Sequence, residues 1–527
     1  MGKRSTAFKK QDWRTFGIGA LAGLISAGVL FAIAELVAAF FGPVASPLTS
    51  VGSTFIDFTP AWMKNFAIAT FGTNDKMVLL LSMGIVAALL SAVAGVVALK
   101  SLRIALGMVS AFAIVMAACI ITRSGAGPFD LLPLLIGTAA GLWALRLLIR
   151  SFLGQPAAKS NGEPAPSQGV TPSRRTFLIR SAALAGVAVV AGFGGSVLSA
   201  TRNTARAFRD ALKLPAPKIK AEALPAGVQA PVEGVTPFVT PNKDFYRIDT
   251  ALIVPELDPE SWELRVHGMV EEEFSITFDQ LLKSELIESH VTLTCVSNVV
   301  GGNLAGNAKW LGFPLREVLA RAKPKAGADM VLSTSSDGFS ASTPLPVLQD
   351  DRDAMLAIGM NGEPLPLEHG FPVRMVVPGL YGFVSATKWV VDLEVTTFAE
   401  KAGYWTSRGW SSHGPIKTAS RVEVPRAFGR IPAGKVSIGG SAWAQTKGIS
   451  KVEIQLDDGA WQQATLADEA SVDTWRQWSY IWNDAPAGTH KVRVRAYDTA
   501  GELQIEDQAP PEPDGSTGWH SINFTVT

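Results

Sequence analysis

Five runs of apolar residues, each close to the roughly 20 that a membrane-crossing helix needs, constrain this chain more than any other feature. They extend approximately from Phe16 to Phe41, Met77 to Leu99, Ile104 to Thr122, Leu131 to Ile149 and Ser181 to Thr201. A buried core helix can be as apolar as one of these. Five of them in succession, almost free of internal charge, exceed what one soluble core absorbs and read as a bundle of membrane spans. Charged residues make up 18% of the 527, against about 25% in ordinary soluble domains.

The net charge of +1 hides two unlike halves. Up to Arg202 there are 17 Lys/Arg and 6 Asp/Glu; beyond it there are 30 and 40. The cations flank the apolar runs and form no basic stripe on a soluble domain, so no nucleic-acid partner is expected. With the N-terminus in the cytoplasm, 13 cations fall on the inner side: Lys3, Arg4, Lys9, Lys10, Arg14, Lys100, Arg103, Arg146, Arg150, Lys159, Arg174, Arg175 and Arg180. Only Lys64, Lys76 and Arg123 fall on the outer side. That bias predicts a multi-pass protein of a bacterial plasma membrane, with lipid around its spans and everything after Arg202 outside the cytoplasm.

The expected organisation is a four-span domain over 1–153, a flexible linker over 154–176, a fifth span over 177–202 and a Pro/Ala-rich stalk over 203–235. The linker is rich in Pro, Ser, Gly and Ala from Gly154 to Pro172, a composition of flexible tethers. It ends in Ser173-Arg174-Arg175-Thr176-Phe177-Leu178 ahead of a mildly apolar Gly/Ala stretch, which resembles a twin-arginine export signal. Two flanking arginines also serve plain orientation. Such signals carry folded proteins, so a cofactor-bearing soluble half is expected. Glu35 is the one carboxylate well inside a span: either it is functional, or it is hydrated near the outer end of its helix. No histidine precedes His267, so the bundle cannot hold a haem between two histidines and no haem is expected.

The soluble half reads as α+β over 236–413, with an extended segment at Val291 to Leu293 and helices at Phe278 to Lys283 and Leu315 to Ala322. From 414 to 527, short alternating runs such as Val452-Glu-Ile-Gln-Leu and Val492-Arg-Val-Arg, with a turn at Asp457-Asp458-Gly459, predict an all-β, immunoglobulin-like sandwich. With two cysteines, Cys119 and Cys295, a disulfide framework and a four-cysteine zinc site are excluded. Cys295 stands at the end of an apolar strand, in Thr292-Leu-Thr-Cys-Val-Ser-Asn298, and opens into Val299-Val-Gly-Gly-Asn303. A lone cysteine there can be a small core hydrophobe, while the glycines allow close approach of a large ligand. A second cluster runs Met360-Asn-Gly-Glu-Pro-Leu-Pro-Leu-Glu-His369-Gly-Phe-Pro-Val-Arg374, then Val377-Pro-Gly-Leu-Tyr-Gly382 and Lys388-Trp389. Its imidazole, guanidinium and ammonium suit an anionic cofactor's phosphate; solvated surface charge is the alternative.

Together these motifs resemble the sulfite oxidase family of molybdenum enzymes, over roughly Pro237 to Thr527. The resemblance implies one molybdopterin, with Cys295 as the thiolate ligand of its molybdenum, a role suited to a soft, ionised sulfur. It implies that His369 and Arg374 hold the pterin phosphate, and that Tyr246, Arg247, Asn298, Asp337, Ala386, Thr387 and Lys388 line the cofactor. It also implies a sandwich that serves dimerisation, hence a possible homodimer, and a separate electron partner, a quinone or a cytochrome. Three positions depart from the family's pattern. Where the family supplies two arginines after Asn298, this chain has Val299 and Val300; Trp410 stands for the active-site tyrosine, and a segment around Asp514 to His520 for the substrate arginine. Arg247 is the cation expected to remain, with Arg408 as a further candidate. The expected activity is oxygen-atom transfer on a small oxyanion, a sulfoxide or an N-oxide, with Cys295, Arg247 and Trp410 at the reacting centre. A binding module that kept the fold and lost catalysis is the alternative.

Overall fold

The structure is a computed structural model that describes residues 7–41, 43–60, 63, 66–67, 70–71, 75–123, 126–153, 173–201 and 204–527. The expected linker from Gly154 to Pro172 lies outside them, as do Lys3, Arg4, Lys64 and Lys159. The chain divides into two compact units, Met1–Asn203 with Thr250–Ile253, and Thr204–Asp249 with Val254–Thr527.

The first unit contains α1 (Ala7–Ala38), α2 (Pro47–Phe58), α3 (Asp75–Lys100), α4 (Leu102–Ile121), α5 (Leu132–Leu153) and α6 (Ser173–Thr201). Among the described residues five helices are long and apolar enough to cross a membrane, one for each expected run. Helix α1 packs against α3, α5 and α6. Its contacts are made where side chains are smallest. A Cβ on Gly23 would stand 1.9 Å from Ser91 O, and one on Gly95 would stand 2.0 Å from Gly19 O. These helices therefore meet backbone to backbone, the way small residues join helices where lipid offers no hydrophobic drive.

Helix α2 is not legible as a separate element, because its apolar content is too short to read as a span. Ser46 caps it, accepting from Thr49 N at 3.2 Å, and donates to Glu35 Oε1 at 2.8 Å. Leu48 N also donates to Glu35, at 3.4 Å. Glu35 thus sits against the N-terminus of a helix, where a carboxylate is favoured.

In the second unit, helix α7 (Thr204–Ala211) leads into an extended segment. The expectation of a stalk is corrected here: the segment does not stand free of the second unit but is hydrogen-bonded along it. Lys218 N donates to Leu286 O, at 2.8 Å, and Ala230 N to Gln477 Oε1, also at 2.8 Å. Composition does not show where backbone donors go, and here some of them find partners on the unit itself.

The α+β part has strands β1 (Glu263–Gly268), β2 (Phe274–Thr277), β3 (Ile287–Thr294), β4 (Ala305–Pro314), β5 (Met330–Ser335), β6 (Ser340–Pro344), β7 (Met355–Met360), β8 (Glu363–Pro364), β9 (Arg374–Val376) and β10 (Val390–Thr396). They form two sheets, ordered β2-β1-β10-β5-β6 and β3-β4-β7-β8 with β9 also on β7. Two helices, α8 (Phe278–Leu282) and α9 (Leu315–Ala322), fall where the sequence places them. The hydrophobic core runs from Trp262 and Phe278 through Leu315 and Leu356 to Val390.

The C-terminal part is β-rich: β11 (Ala419–Val424), β12 (Arg430–Ile431), β13 (Gly434–Trp443), β14 (Ile449–Leu456), β15 (Gln462–Gln463), β16 (Thr465–Leu466), β17 (Arg476–Ala485), β18 (Gly488–Asp498) and β19 (His520–Val526). Sheets β11-β13-β17-β16 and β12-β19-β18-β14-β15 share one core, with Val436, Ile438 and Trp478 from the first and Val452, Val492 and Phe524 from the second. The two parts are tied together by buried polar groups. Trp475 N donates to Thr292 Oγ1 at 2.8 Å, and Gln445 Nε2 to Thr292 O at 3.1 Å.

Candidate functional site

Strand β3 pairs in antiparallel register with β4 from Ile287 to Thr294 and delivers Cys295 at its end, 8% exposed. The loop that follows is closed on itself. Cys295 N donates to Leu304 O at 2.9 Å, and Asn298 N to Cys295 O at 3.0 Å, while Leu304 N donates to Asn298 Oδ1 at 2.8 Å. Asn298 is thereby committed to shaping the loop. Gly301 has φ +75, and a Cβ on it would stand 2.1 Å from His520 Nε2, so this position must lack a side chain for β19 to approach. Burial pushes the Cys295 thiol up, and hydrogen bonds from Ser297 oppose that shift.

The Met-Asn-Gly motif is a hairpin turn between β7 and β8, with Asn361 at φ 54 and Gly362 at φ 84, the conformation such turns demand. The Asn361 side chain accepts from Lys309 N at 2.9 Å and donates to Thr240 O at 2.9 Å and to Asn242 Oδ1 at 2.8 Å. It pins the segment before Phe245-Tyr-Arg247 to the sheet. Next along the chain, His369 is buried and is held to Asn242 O at 3.1 Å. The left-handed Gly370 then lets the chain turn so that Arg374 and Lys388 come close, since a Cβ on Gly370 would meet both side chains, at 2.9 and 3.2 Å.

The result is a cluster of cations in which Arg374 and Lys388 are buried and Arg247 lies exposed at its edge. Arg374, 4% exposed, donates through Nη1 to His369 O at 3.2 Å and lies 5.1 Å from the Trp310 ring. Lys388, 8% exposed, donates to Glu368 O at 3.0 Å and pairs with Asp249 at 2.7 Å. Arg247 pairs with the same carboxylate at 2.9 Å. Burial pulls Arg374 down to about 10 and Lys388 down to about 8, the latter opposed by Asp249. Burial, then the charges of Arg374 and Lys388, hold His369 near 4, so it is neutral. Among the described residues Asp249 is the carboxylate that pairs with Arg247 and Lys388, while Arg374 is held by the backbone oxygens of His369 and Met375. A buried surplus of positive charge is costly unless an anion joins it, which fits a pterin phosphate. The Tyr246 ring stacks on Phe245 at 5.2 Å, which meets His369 at 5.6 Å, and its phenol is near enough to Cys295 and Arg374 to feel the charges of both. The residues present therefore fit a phosphate-bearing, thiolate-ligated metal cofactor.

The other expected residues fall as follows. Thr387 is buried, its hydroxyl 2.7 Å from Ser333 Oγ, and Ala386 N donates to Gly382 O at 2.9 Å; both belong to the turn that carries Lys388. Asp337 accepts from Phe339 N at 3.1 Å and so closes its own hairpin. Trp410 is 6% exposed, packs against Phe383 and Trp405 at 5.9 Å each, and its buried Nε1 has no partner. Arg408 turns back to its own loop, donating to Tyr404 O at 2.7 Å with its guanidinium 3.6 Å from the Tyr404 ring.

Val299 and Val300 line a pocket together with Ser516 and His520, so the positions read as having lost their arginines do converge. Among the described residues that line this pocket there is no lysine or arginine. His520 Nδ1 accepts from Val422 N at 3.0 Å, and burial, then Arg421, hold its ring near 4 and therefore neutral. Arg421 is itself paired with Glu423 at 2.8 Å. Sequence reasoning missed Asp249, Tyr381 and His520. Tyr381 and His520 stand inside legible runs, but only the fold shows that His520 lines this pocket and that Tyr381 lines a recess sharing Val299, Val300 and Ser516 with it. Asp249 carries no local signal.

Comparison with known proteins agrees with this construction. Residues 251–405 match the family model described as oxidoreductase molybdopterin binding domain. Mitochondrial sulfite oxidase of Homo sapiens is 28% identical over 60% of this chain and 67% of that protein. Sulfite oxidase of Arabidopsis thaliana is 27% identical over 55% and 88%, and the NADPH nitrate reductase of Emericella nidulans 26% identical over 51% and 39%. Among solved structures, the sulfane dehydrogenase SoxCD from Paracoccus pantotrophus is similar at 22% identity and a TM-score of 0.49, over 59% of this chain and 90% of that one. Residues 251–405 thus carry an oxidoreductase molybdopterin binding domain, similar to the sulfite oxidases in the thiol at the end of β3 and the buried cradle, and an N-terminal set of apolar helices precedes it in the chain.

Proposed function

We propose that the chain is a membrane-anchored oxidoreductase that transfers an oxygen atom to or from a sulfur or nitrogen oxide on the outer side of a bacterial plasma membrane. The observation that carries this reading is the buried thiol beside a cation cluster with a single paired carboxylate. Arg374 and Lys388 would hold the phosphate of one pterin, Tyr246 would pack between phosphate site and metal, and Cys295 would be the metal's thiolate. The bound group supplies the two-electron chemistry, and the protein supplies position and electrostatics. In this reading the chain carries no haem and passes electrons to or from a quinone or a cytochrome. The β-rich C-terminal part is an immunoglobulin-like sandwich available for dimerisation.

The pocket disfavours sulfite. Desolvating a dianion without fixed cations is expensive, and here Val299, Val300 and a neutral His520 stand where charge is needed. Each charged hydrogen bond is worth on the order of 1.5 to 3 kcal/mol, so two missing arginines weaken sulfite binding by roughly two to four orders of magnitude. The same absence also favours a second reading, a binding module without catalysis. Steady-state assays of the purified full chain on sulfite, dimethyl sulfoxide and trimethylamine N-oxide test the proposal. The expected result is turnover of an uncharged oxide with sulfite poor; fast turnover of sulfite at a micromolar KM contradicts the substrate reading.

A further inference from the structure

The sequence leaves this pocket without a phenol, because Trp410 stands where the family's tyrosine is expected. The fold brings one in from a different element. Tyr381, 5% exposed, lines a narrow recess together with Thr294 and Asn298, residues on either side of Cys295. We propose that Tyr381 holds the oxygen of an uncharged oxide substrate by donating its hydroxyl hydrogen bond into that recess.

Three observations support this. First, the hydroxyl oxygen accepts from Lys417 N at 3.4 Å, which leaves its own proton to be donated, and no acceptor among the described residues takes it. Second, the backbone makes way for the phenol. Gly515 has φ +97, and a Cβ there would stand 2.6 Å from the Tyr381 hydroxyl. Third, the surroundings carry no net charge to offer an anion, since the neighbouring ammonium of Lys417 is spent on Asp514 at 2.8 Å and on Gly515 O at 2.9 Å.

The dimensions match an oxide on a small organic body. The recess holds about 20 Å³, room for about one water or one oxygen atom. It shares Val299, Val300 and Ser516 with an outer cleft of about 560 Å³ that is walled by Pro510 and Pro511. An oxygen would enter the recess while methyl or methylene groups rest on the valines and prolines.

This inference rests on the oxygen-atom-transfer reading, and the two fail separately. Molybdenum content and turnover test that reading, whereas binding of a non-reacting probe tests the donor. The experiment is calorimetric titration of the full-length, cofactor-loaded chain with dimethyl sulfone, and with sulfate as the charged counterpart. Wild type is expected to bind the sulfone and not the sulfate. Tyr381→Phe is expected to raise the sulfone Kd about tenfold, the worth of one such hydrogen bond, with cofactor content unchanged. Gly515→Ala, which keeps the phenol but crowds its hydroxyl, is expected to do the same, and it serves in place of Tyr381→Phe if that variant does not fold. An unchanged sulfone Kd in these variants overturns the proposal. So do tighter binding of sulfate than of sulfone, no sulfone binding by wild type, and a loss seen with Trp410→Phe but not with Tyr381→Phe.

Discussion

The two units of this chain hold themselves together by opposite means. In the helical unit the closest contacts occur where side chains are missing: Gly19, Gly23 and Gly95 bring α1 and α3 to within touching distance of each other's backbones. In the soluble unit the interior is filled by large rings, with Trp310, Trp389, Trp475 and Trp478 all fully buried. In the bilayer that the proposed function gives these helices, apolar surroundings would remove the reward for burying large side chains, and close approach would decide. In water the reward is area, and rings supply the most of it. A second contrast follows. The soluble unit can afford buried Arg374, Lys388 and Asp249 because each is paired or held, whereas the described interior of the helical unit is almost free of charge.

The strongest break in this contrast is chemical. Cys295→Ser is expected to reduce turnover to background while the fold and the pterin remain, because the cradle does not depend on the thiol. Activity and pterin content measured together check it, and retained turnover with normal molybdenum contradicts it. Next comes delivery. Replacing Arg174 and Arg175 by lysine is expected to leave the first four apolar helices inserted and strand the second unit in the cytoplasm, seen as loss of digestion when protease is added to spheroplasts.

Smaller effects separate the units by stability. Arg374→Met removes one partner of a buried charged cluster, a change worth about 2 to 5 kcal/mol where such a group grips a ligand. It is expected to lower pterin retention on gel filtration about a hundredfold or more. Gly95→Ile drives a branched side chain into Gly19 O, an overpacking that costs about 1 to 3 kcal/mol or more. It is expected to lower the free energy of unfolding of the helical unit in a detergent titration, with molybdenum content unchanged; a parallel loss of molybdenum would contradict independent packing.

The smallest effect concerns pH. Burial raises the Asp473 carboxyl to about 6, Asp353 adding to the shift, and its buried Oδ1 has no partner. The folded state therefore holds this proton more tightly than the unfolded chain, whose Asp titrates near 4. Stability from this group is complete below about pH 4 and is lost as pH rises through about 6. Asp473→Asn is expected to flatten the melting-temperature profile of the second unit between pH 4 and 7, an effect with an upper limit of about 3 kcal/mol that solvent screening of this partly exposed group reduces.

What the sequence reveals differs between the units for the same physical reasons. The five apolar runs are visible because a membrane span is a property of one contiguous stretch; α2 is not, since its partner Glu35 lies in another run. In the soluble unit, helices such as Leu315–Ala322 and the cluster from Met360 to Arg374 are legible as local pattern and motif. The segment after Ala211 reads as a stalk because composition cannot show that Gln477, nearly 250 residues away, takes its backbone hydrogen bond. Tyr381 is missed likewise: its role depends on Lys417, Gly515 and the end of β3 meeting around it, and none of these is its sequence neighbour.

The central claim is that the soluble unit carries the metal its cradle is built for. Elemental analysis of the full chain, purified from membranes of a host that makes the cofactor, tests it directly when combined with pterin quantification. The expected result is one molybdenum and one pterin per chain, with the molybdenum lost and the pterin kept in Cys295→Ser. A properly folded wild-type chain that contains neither contradicts the claim and leaves the binding-module reading in its place.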